Sequence, residues 1–208
     1  MRVKHLAFRD LQRDQARAGD PHAPDLRDAW VASQVRWLEA SRSSSGLVTA
    51  WGALHRHEAR AVFVWESDEA LREFMQAPHA RAIADIGVVG KSSALYLEPL
   101  LDLGPRKDAR YVAEAVAWIK EGGVEPWLAS QRAWCETMAR CDGFVGGAIA
   151  RGRRTFVTTA FWRDDRSHAR YLDEVVPRLR SSAWGDEHCA RLTRFHAPLC
   201  PELSYQRR

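Results

Sequence analysis

Lysine is scarce in this chain: of 31 basic residues only Lys4, Lys91, Lys107 and Lys120 are lysines, and the rest are arginines. The arginines alternate with acids, as in Asp68-Glu69-Ala70-Leu71-Arg72-Glu73 and Arg163-Asp164-Asp165-Arg166. That pattern describes solvated helix faces rather than a phosphate-binding stripe, so nucleic acid is not an expected partner. No apolar run reaches the roughly 18 residues of a membrane span, and no signal-like stretch follows Met1-Arg2-Val3-Lys4-His5, so no membrane partner and a cytoplasmic location are expected. The four cysteines, Cys135, Cys141, Cys189 and Cys200, include no Cys-x-x-Cys pair. They read as reduced core thiols and argue against a zinc ribbon or a thioredoxin-type site. The histidines form no His-Glu-x-x-His pattern, and the adjacent His188 and Cys189 cannot easily share a tetrahedral ion, so no metal is expected. Gly143-Phe-Val-Gly-Gly147 opens a strand rather than a helix, which speaks against a phosphate loop, and a serine nucleophile elbow is lacking. No cofactor is implied by any of these patterns.

What is present is a repeat. Gly46 to Met75 returns 97 residues later as Gly143 to Leu172, and Trp30-Val-Ala-Ser-Gln34-Val-Arg-Trp37 returns as Trp127-Leu-Ala-Ser-Gln131-Arg-Ala-Trp134. Two copies of one unit in one polypeptide read as a covalent pseudo-dimer, and the differences between copies point to function.

Each copy reads strand, helix, strand, strand, helix, strand. In the first, these are 2–8, 26–40, 46–55, 60–66, 69–85 and 93–100; in the second, 112–120, 126–140, 144–151, 155–163, 167–180 and 192–199. That order is the ferredoxin-like split βαβ motif. Ser67-Asp68-Glu69 and Asp164-Asp165 place capping and acidic residues at the start of each second helix. The linker at 103–108 divides the chain into 1–104 and 105–208, and the polar insertion 10–24 of the first copy has no counterpart in the second. The expected fold class is α+β, two tandem ferredoxin-like βαββαβ units forming an intramolecular dimeric α+β barrel, in which stacking covers the bare face of each sheet.

The segment from Trp65-Glu-Ser-Asp-Glu through Phe74-Met75 to His79-Ala-Arg-Ala-Ile83 resembles the dimeric α+β barrel superfamily, which includes antibiotic biosynthesis monooxygenases and haem-degrading monooxygenases. Within it, Trp51-Gly52 followed by Phe74-Met75 and His79 is most similar to a small uncharacterised bacterial family with a glycine-tryptophan strand and a Phe-Met-x-x-x-His helix. The resemblance implies oxidation of an aromatic or polyketide-like substrate by dioxygen without metal or flavin. The position matching the haem-ligating histidine of the haem-degrading relatives is Ala84, a departure that argues against haem degradation here.

Trp30, Gln34 and Trp37 fall at i, i+4 and i+7 and share one helix face. The tryptophans read as packing groups, while an amide on an apolar stripe needs partners from backbone or ligand. At the 97-residue offset Trp51 corresponds to Ala148, His55 to Gly152 and His79 to Val176. Trp51 and His55 lie on one face of a strand. A single pocket in the first copy is therefore expected, bounded by Trp51, His79 and Trp65, with His55, Gln34 and Trp37 as further binding residues. Its occupant would be a small apolar or aromatic molecule, and His79 the base that deprotonates a phenol or enol. The alternatives are a core histidine, a non-catalytic ligand- or haem-binding or stress-response module, and a purely structural or interaction protein. A monomer, or a weak homodimer, is expected.

Overall fold

The computed structural model describes residues 1–9, 26–56, 58–76, 79, 91–104, 106–182 and 185–207. The insertion 10–24, His57 and Ala84 lie outside the described residues. The chain forms two compact units, one of residues 1–96 and 199–208, the other of 97–198.

The first unit contains β1 (Arg2–Arg9), α1 (Leu26–Arg42), β2 (Leu47–His55), β3 (Glu58–Trp65), α2 (Asp68–Gln76) and the first half of β4 (Lys91–Asp102). The second contains the rest of β4, β5 (Tyr111–Ile119), α3 (Val124–Met138), β6 (Phe144–Arg151), β7 (Thr155–Trp162), α4 (Asp165–Arg170), a π-helical turn Tyr171–Val175, α5 (Val176–Ser182) and β8 (Cys189–Pro198). The strands run β4-β1-β3-β2 in the first unit and β8-β5-β7-β6 in the second. In both, the first and third strands of the motif lie in the middle, as in a ferredoxin-like sheet. The α+β class expected from the sequence is the one observed.

The same local devices build both units. Gly46, at φ +93°, and Gly143, at φ +82°, are in the left-handed region. Their carbonyls accept from Glu66 N at 2.8 Å and Arg163 N at 2.7 Å, joining the start of β2 to the end of β3 and the start of β6 to the end of β7. A Cβ at Gly46 would lie 2.4 Å from that of Ala70, and one at Gly143 2.2 Å from Ser167 Oγ, so both positions need glycine for space as well as for φ. The helices that follow are capped where the sequence placed caps: Ser67 Oγ accepts from Ala70 N at 3.1 Å and Asp164 Oδ1 from Ser167 N at 2.7 Å. Arg2 adds a bidentate ion pair to Asp68, tying β1 to the first turn of α2.

The division between the two compact units falls inside β4, whose second half pairs with β6, from Glu98↔Arg151 to Asp102↔Ala148. The last ten residues belong to the first unit, and the sequence assigned no element beyond 199. There a 3-10 turn at Pro201–Leu203 leads into β9 (Tyr205–Gln206), which pairs with Thr49 and Ala50 of β2. Leu203 is buried in the core of that unit, against Gly52.

Gly52 is the seat of this tail, since a Cβ there would meet Leu203 Cδ1 at 2.3 Å and its Cβ at 2.9 Å. Gly52→Ala should therefore lower unfolding stability by about 1–3 kcal/mol through overpacking. Gly52→Ala/Leu203→Ala should recover part of that loss in a urea double-mutant cycle, and simple additivity of the two losses would refute the contact.

Candidate functional site

Cross-strand pairing sorts the first sheet into two faces, because directly paired residues point the same way. Phe63 of β3 pairs with Lys4 of β1 and Ala50 of β2, whereas Val62 pairs with His5 and Trp51. Ala59, Ala61, Phe63 and Trp65 pack with Trp30, Trp37 and Leu38 of α1 and with Leu71 and Phe74 of α2. Lys4 is thus on the helix-covered face. Trp51 and His55 are on the other, with His5, Arg60 and Val62.

The pocket expected from the sequence, bounded by Trp51, His79 and Trp65, is therefore not what the structure assembles. Trp65 and His79 share the helix-covered face; Trp51, although buried, and half-buried His55 are separated from them by the sheet. The physical reason is the two-residue period of a strand: position 51 takes the side of Val62, and position 65 the side of Phe63. The helix positions Gln34 and Trp37 do join Trp65 on the covered face, each buried.

On that face the aromatic rings form a connected wall. Trp65 stacks on Phe74 at 4.9 Å between centroids, Phe74 meets Trp37 edge-on at 5.3 Å, and Trp37 meets His79 edge-on at 4.7 Å. His79 lies 6.0 Å from Phe74 and is half-buried in helical backbone. Among these rings sits Lys4, only 3% exposed. Its Nζ is 4.5 Å from the centroid of Trp37, a cation–π contact, and 3.2 Å from Met75 Sδ, a weak acceptor. Burial pushes the lysine down to about 8, and burial together with the Lys4 charge pushes His79 down to about 4. At neutral pH the site therefore holds a buried ammonium beside a neutral imidazole.

The second unit keeps the scaffold and lacks this pair. Trp162 and Tyr171, matching Trp65 and Phe74, lie 5.0 Å apart. The register position of Lys4 is taken by Ala113, opposite Ala160, and Val176 occupies the place of His79. A different cluster occurs there: buried His168 lies 5.4 Å from Tyr111 and 5.6 Å from His196, and burial lowers it to about 4.

Lys4 was missed by the sequence reading. Its signal was the scarcity of lysine itself, since in a chain that uses arginine on its surfaces a lysine inside a β-strand is out of place. Among the described residues no group of three or more histidine, cysteine or acidic side chains is arranged to hold a metal ion, and no helix among them is long and apolar enough to cross a membrane.

The chain shares its ferredoxin-like fold with solved structures. No protein-family model matches it, and no curated protein matches it by sequence. Solved structures do. An anthrone oxidase-like protein superposes with a TM-score of 0.72 at 12% identity, covering 96% of this chain and 91% of its own. A Lactobacillus acidophilus protein assigned as a monooxygenase gives 0.67 at 10% identity, covering 99% of this chain and 96% of its own. A haem-degrading enzyme from Listeria monocytogenes gives 0.51 at 8% identity, covering 95% of this chain and all of its own. At such identities the likeness is one of fold.

The buried lysine has a measurable signature. The unfolded chain keeps the Lys4 proton up to about 10.5 and the folded one only to about 8. Between those values the unfolded state binds more protons, so this residue makes stability rise with pH, and below 8 it costs on the order of 3 kcal/mol. Lys4→Met should accordingly raise stability at pH 7 and lose the rising arm. The difference between wild type and variant in urea titrations isolates it from buried Cys135 and Tyr171, whose raised values act in the opposite sense. A destabilised variant at pH 7 would refute the uncompensated charge.

Proposed function

We propose that the first unit binds a small aromatic or polyketide-like molecule on its helix-covered face and oxidises it with dioxygen, without metal or flavin. The observation that carries this reading is His79 against Trp37, neutral at physiological pH and adjoining the Lys4 ammonium. A neutral imidazole at an aromatic wall accepts a proton from an activated C–H or phenol, leaving a delocalised carbanion. That carbanion gives an electron to dioxygen; the radical and superoxide combine, and the resulting hydroperoxide loses water. For a methylene between aromatic rings the balance is R2CH2 + O2 → R2C=O + H2O, with both electron pairs coming from the substrate. Trp37, Trp65 and Phe74 supply the apolar walls. The second unit, which has the same strand order but neither Lys4 nor His79, serves as scaffold, so that the chain acts as a pseudo-dimer with one working site; it is a monomer on this reading, with a weak homodimer as the alternative.

The fold likeness to an anthrone oxidase-like protein supports anthrone as the first substrate to try. His79→Ala should reduce oxygen uptake with anthrone by roughly 100-fold or more, the weight of a lost general base, while the unfolding midpoint stays near that of the wild type. A large drop in the midpoint would favour a core histidine instead. The depressed proton affinity of His79 also suits a second reading, a ligand-binding module without turnover, including a haem-binding one, because a neutral imidazole can ligate iron. Haem added to the protein would then shift its Soret band in the wild type and not in His79→Ala; an unshifted band removes that reading.

A further inference from the structure

The two units treat the same glutamine differently. In the second, Thr158 Oγ1 donates to Gln131 Oε1 at 3.2 Å. In the first, the matching strand position is Ala61, which cannot donate, and Gln34 Oε1 has no partner among the described residues although the residue is only 4% exposed. Rotating the amide offers no remedy. The Ser33 hydroxyl proton is committed to Trp30 O at 2.7 Å, so Ser33 Oγ can only accept, and it holds Gln34 Nε2 at 3.2 Å.

Lys4 is the complementary case. Its ammonium meets a thioether and an aromatic face, and no carboxylate among the described residues. Among the described residues the first unit thus buries an acceptor without a donor and a cation without an anion, each costly to leave so. Both belong to the helix-covered face, and Trp37, which carries the ammonium, is one turn of α1 from Gln34. The second unit has neither feature, with Ala113 in place of the lysine and Gln131 bonded to Thr158. Met75, whose Sδ is 3.2 Å from Lys4 Nζ, and His79 are both half-buried.

We infer that this site takes a dihydroxylated aromatic, or its enol equivalent, with one hydroxyl bound as the oxyanion against Lys4 Nζ and the second donating to Gln34 Oε1. A methyl ether cannot supply the anion, and a single hydroxyl leaves the glutamine unanswered. The assignment rests on the ligand site proposed above but not on its oxygen chemistry.

The probe is 4-nitrocatechol, whose colour reports ionisation, compared with 4-nitrophenol and the non-ionising 4-nitroanisole, all titrated into the full chain at one pH below the pKa of both phenols. Binding of 4-nitrocatechol should bring up the phenolate band, 4-nitrophenol should bind roughly tenfold more weakly, and 4-nitroanisole more weakly still. Lys4→Met should abolish the band and weaken 4-nitrocatechol roughly ten- to a hundredfold, the weight of a charge-assisted hydrogen bond. Gln34→Leu should keep the band and lose the preference for the second hydroxyl. Ala61→Thr, which restores the donor found in the second unit, should lose the same preference with α1 unaltered, so the result does not depend on Gln34→Leu folding. Equal binding of all three probes, no binding of any, or a phenolate band that survives in Lys4→Met overturns the assignment. If the band appears and follows Lys4 while anthrone is never oxidised, the monooxygenase reading fails and this one stands. Turnover that is indifferent to Lys4 and Gln34 gives the reverse.

Discussion

The two-residue period of β1 and β3 is the constraint on which the rest of the first unit depends. Because neighbouring residues in a strand point to opposite faces, Lys4 and His5 cannot share an environment, nor can Trp51 share one with Trp65 through the pairings of β3. One face receives α1 and α2 with Trp30, Trp37, Leu71 and Phe74, and Lys4 is carried into that apolar layer with them. A slip of one residue in the β1–β3 register would exchange Lys4 for His5 against the helices and dismantle the site. The register is held at the end where Arg2 pairs with Trp65: the Arg2–Asp68 ion pair fixes the start of β1, and the Gly46 carbonyl holds Glu66 N just past the end of β3.

A protein does not bury an ammonium without a counter-ion at no cost. The second unit shows that the scaffold has no need of one, for it builds the same strand order, the same capped helix start and the same tryptophan-centred packing around Ala113 and Val176. Lys4, His79 and the unanswered oxygen of Gln34 are therefore departures from an arrangement that the chain itself demonstrates to be sufficient for folding. Local violations of folding rules of this sort concentrate where a site has been made at the expense of stability.

Much of the fold was legible because its signals are local. Alternating strands, the tryptophan stripes of α1 and α3, and the caps at Ser67 and Asp164 are read from a few neighbouring residues, and the strands and the first helix of each unit follow them within a few positions, while the expected end of α2 near 85 lies outside the described residues. The C-terminal tail was not legible, since Tyr205–Gln206 is too short to show a period and Leu203 is explained only by Gly52, far away in sequence. The site was partly legible. The helix residues Gln34, Trp37 and His79 could be placed by spacing and by comparing the copies. Trp51 and His55 could be assigned to one face of their strand, but which face the helices cover is a property of packing. Lys4 escaped because β1 falls outside the constant 97-residue offset, the insertion after it having shifted its place relative to β5.

By itself the sequence determined the α+β class, the doubled βαββαβ order and the glycines and caps that close each unit, because each of these is encoded in the chemistry and periodicity of a short segment. Only the tertiary structure decided which residues meet. Strand pairing and helix packing set Lys4 beside Trp37, Met75 and His79, left Gln34 without the threonine its counterpart has, and put Trp51 on the far side of the sheet. Those juxtapositions join residues as far apart as Lys4 and His79, and no local rule of propensity or spacing reaches that distance.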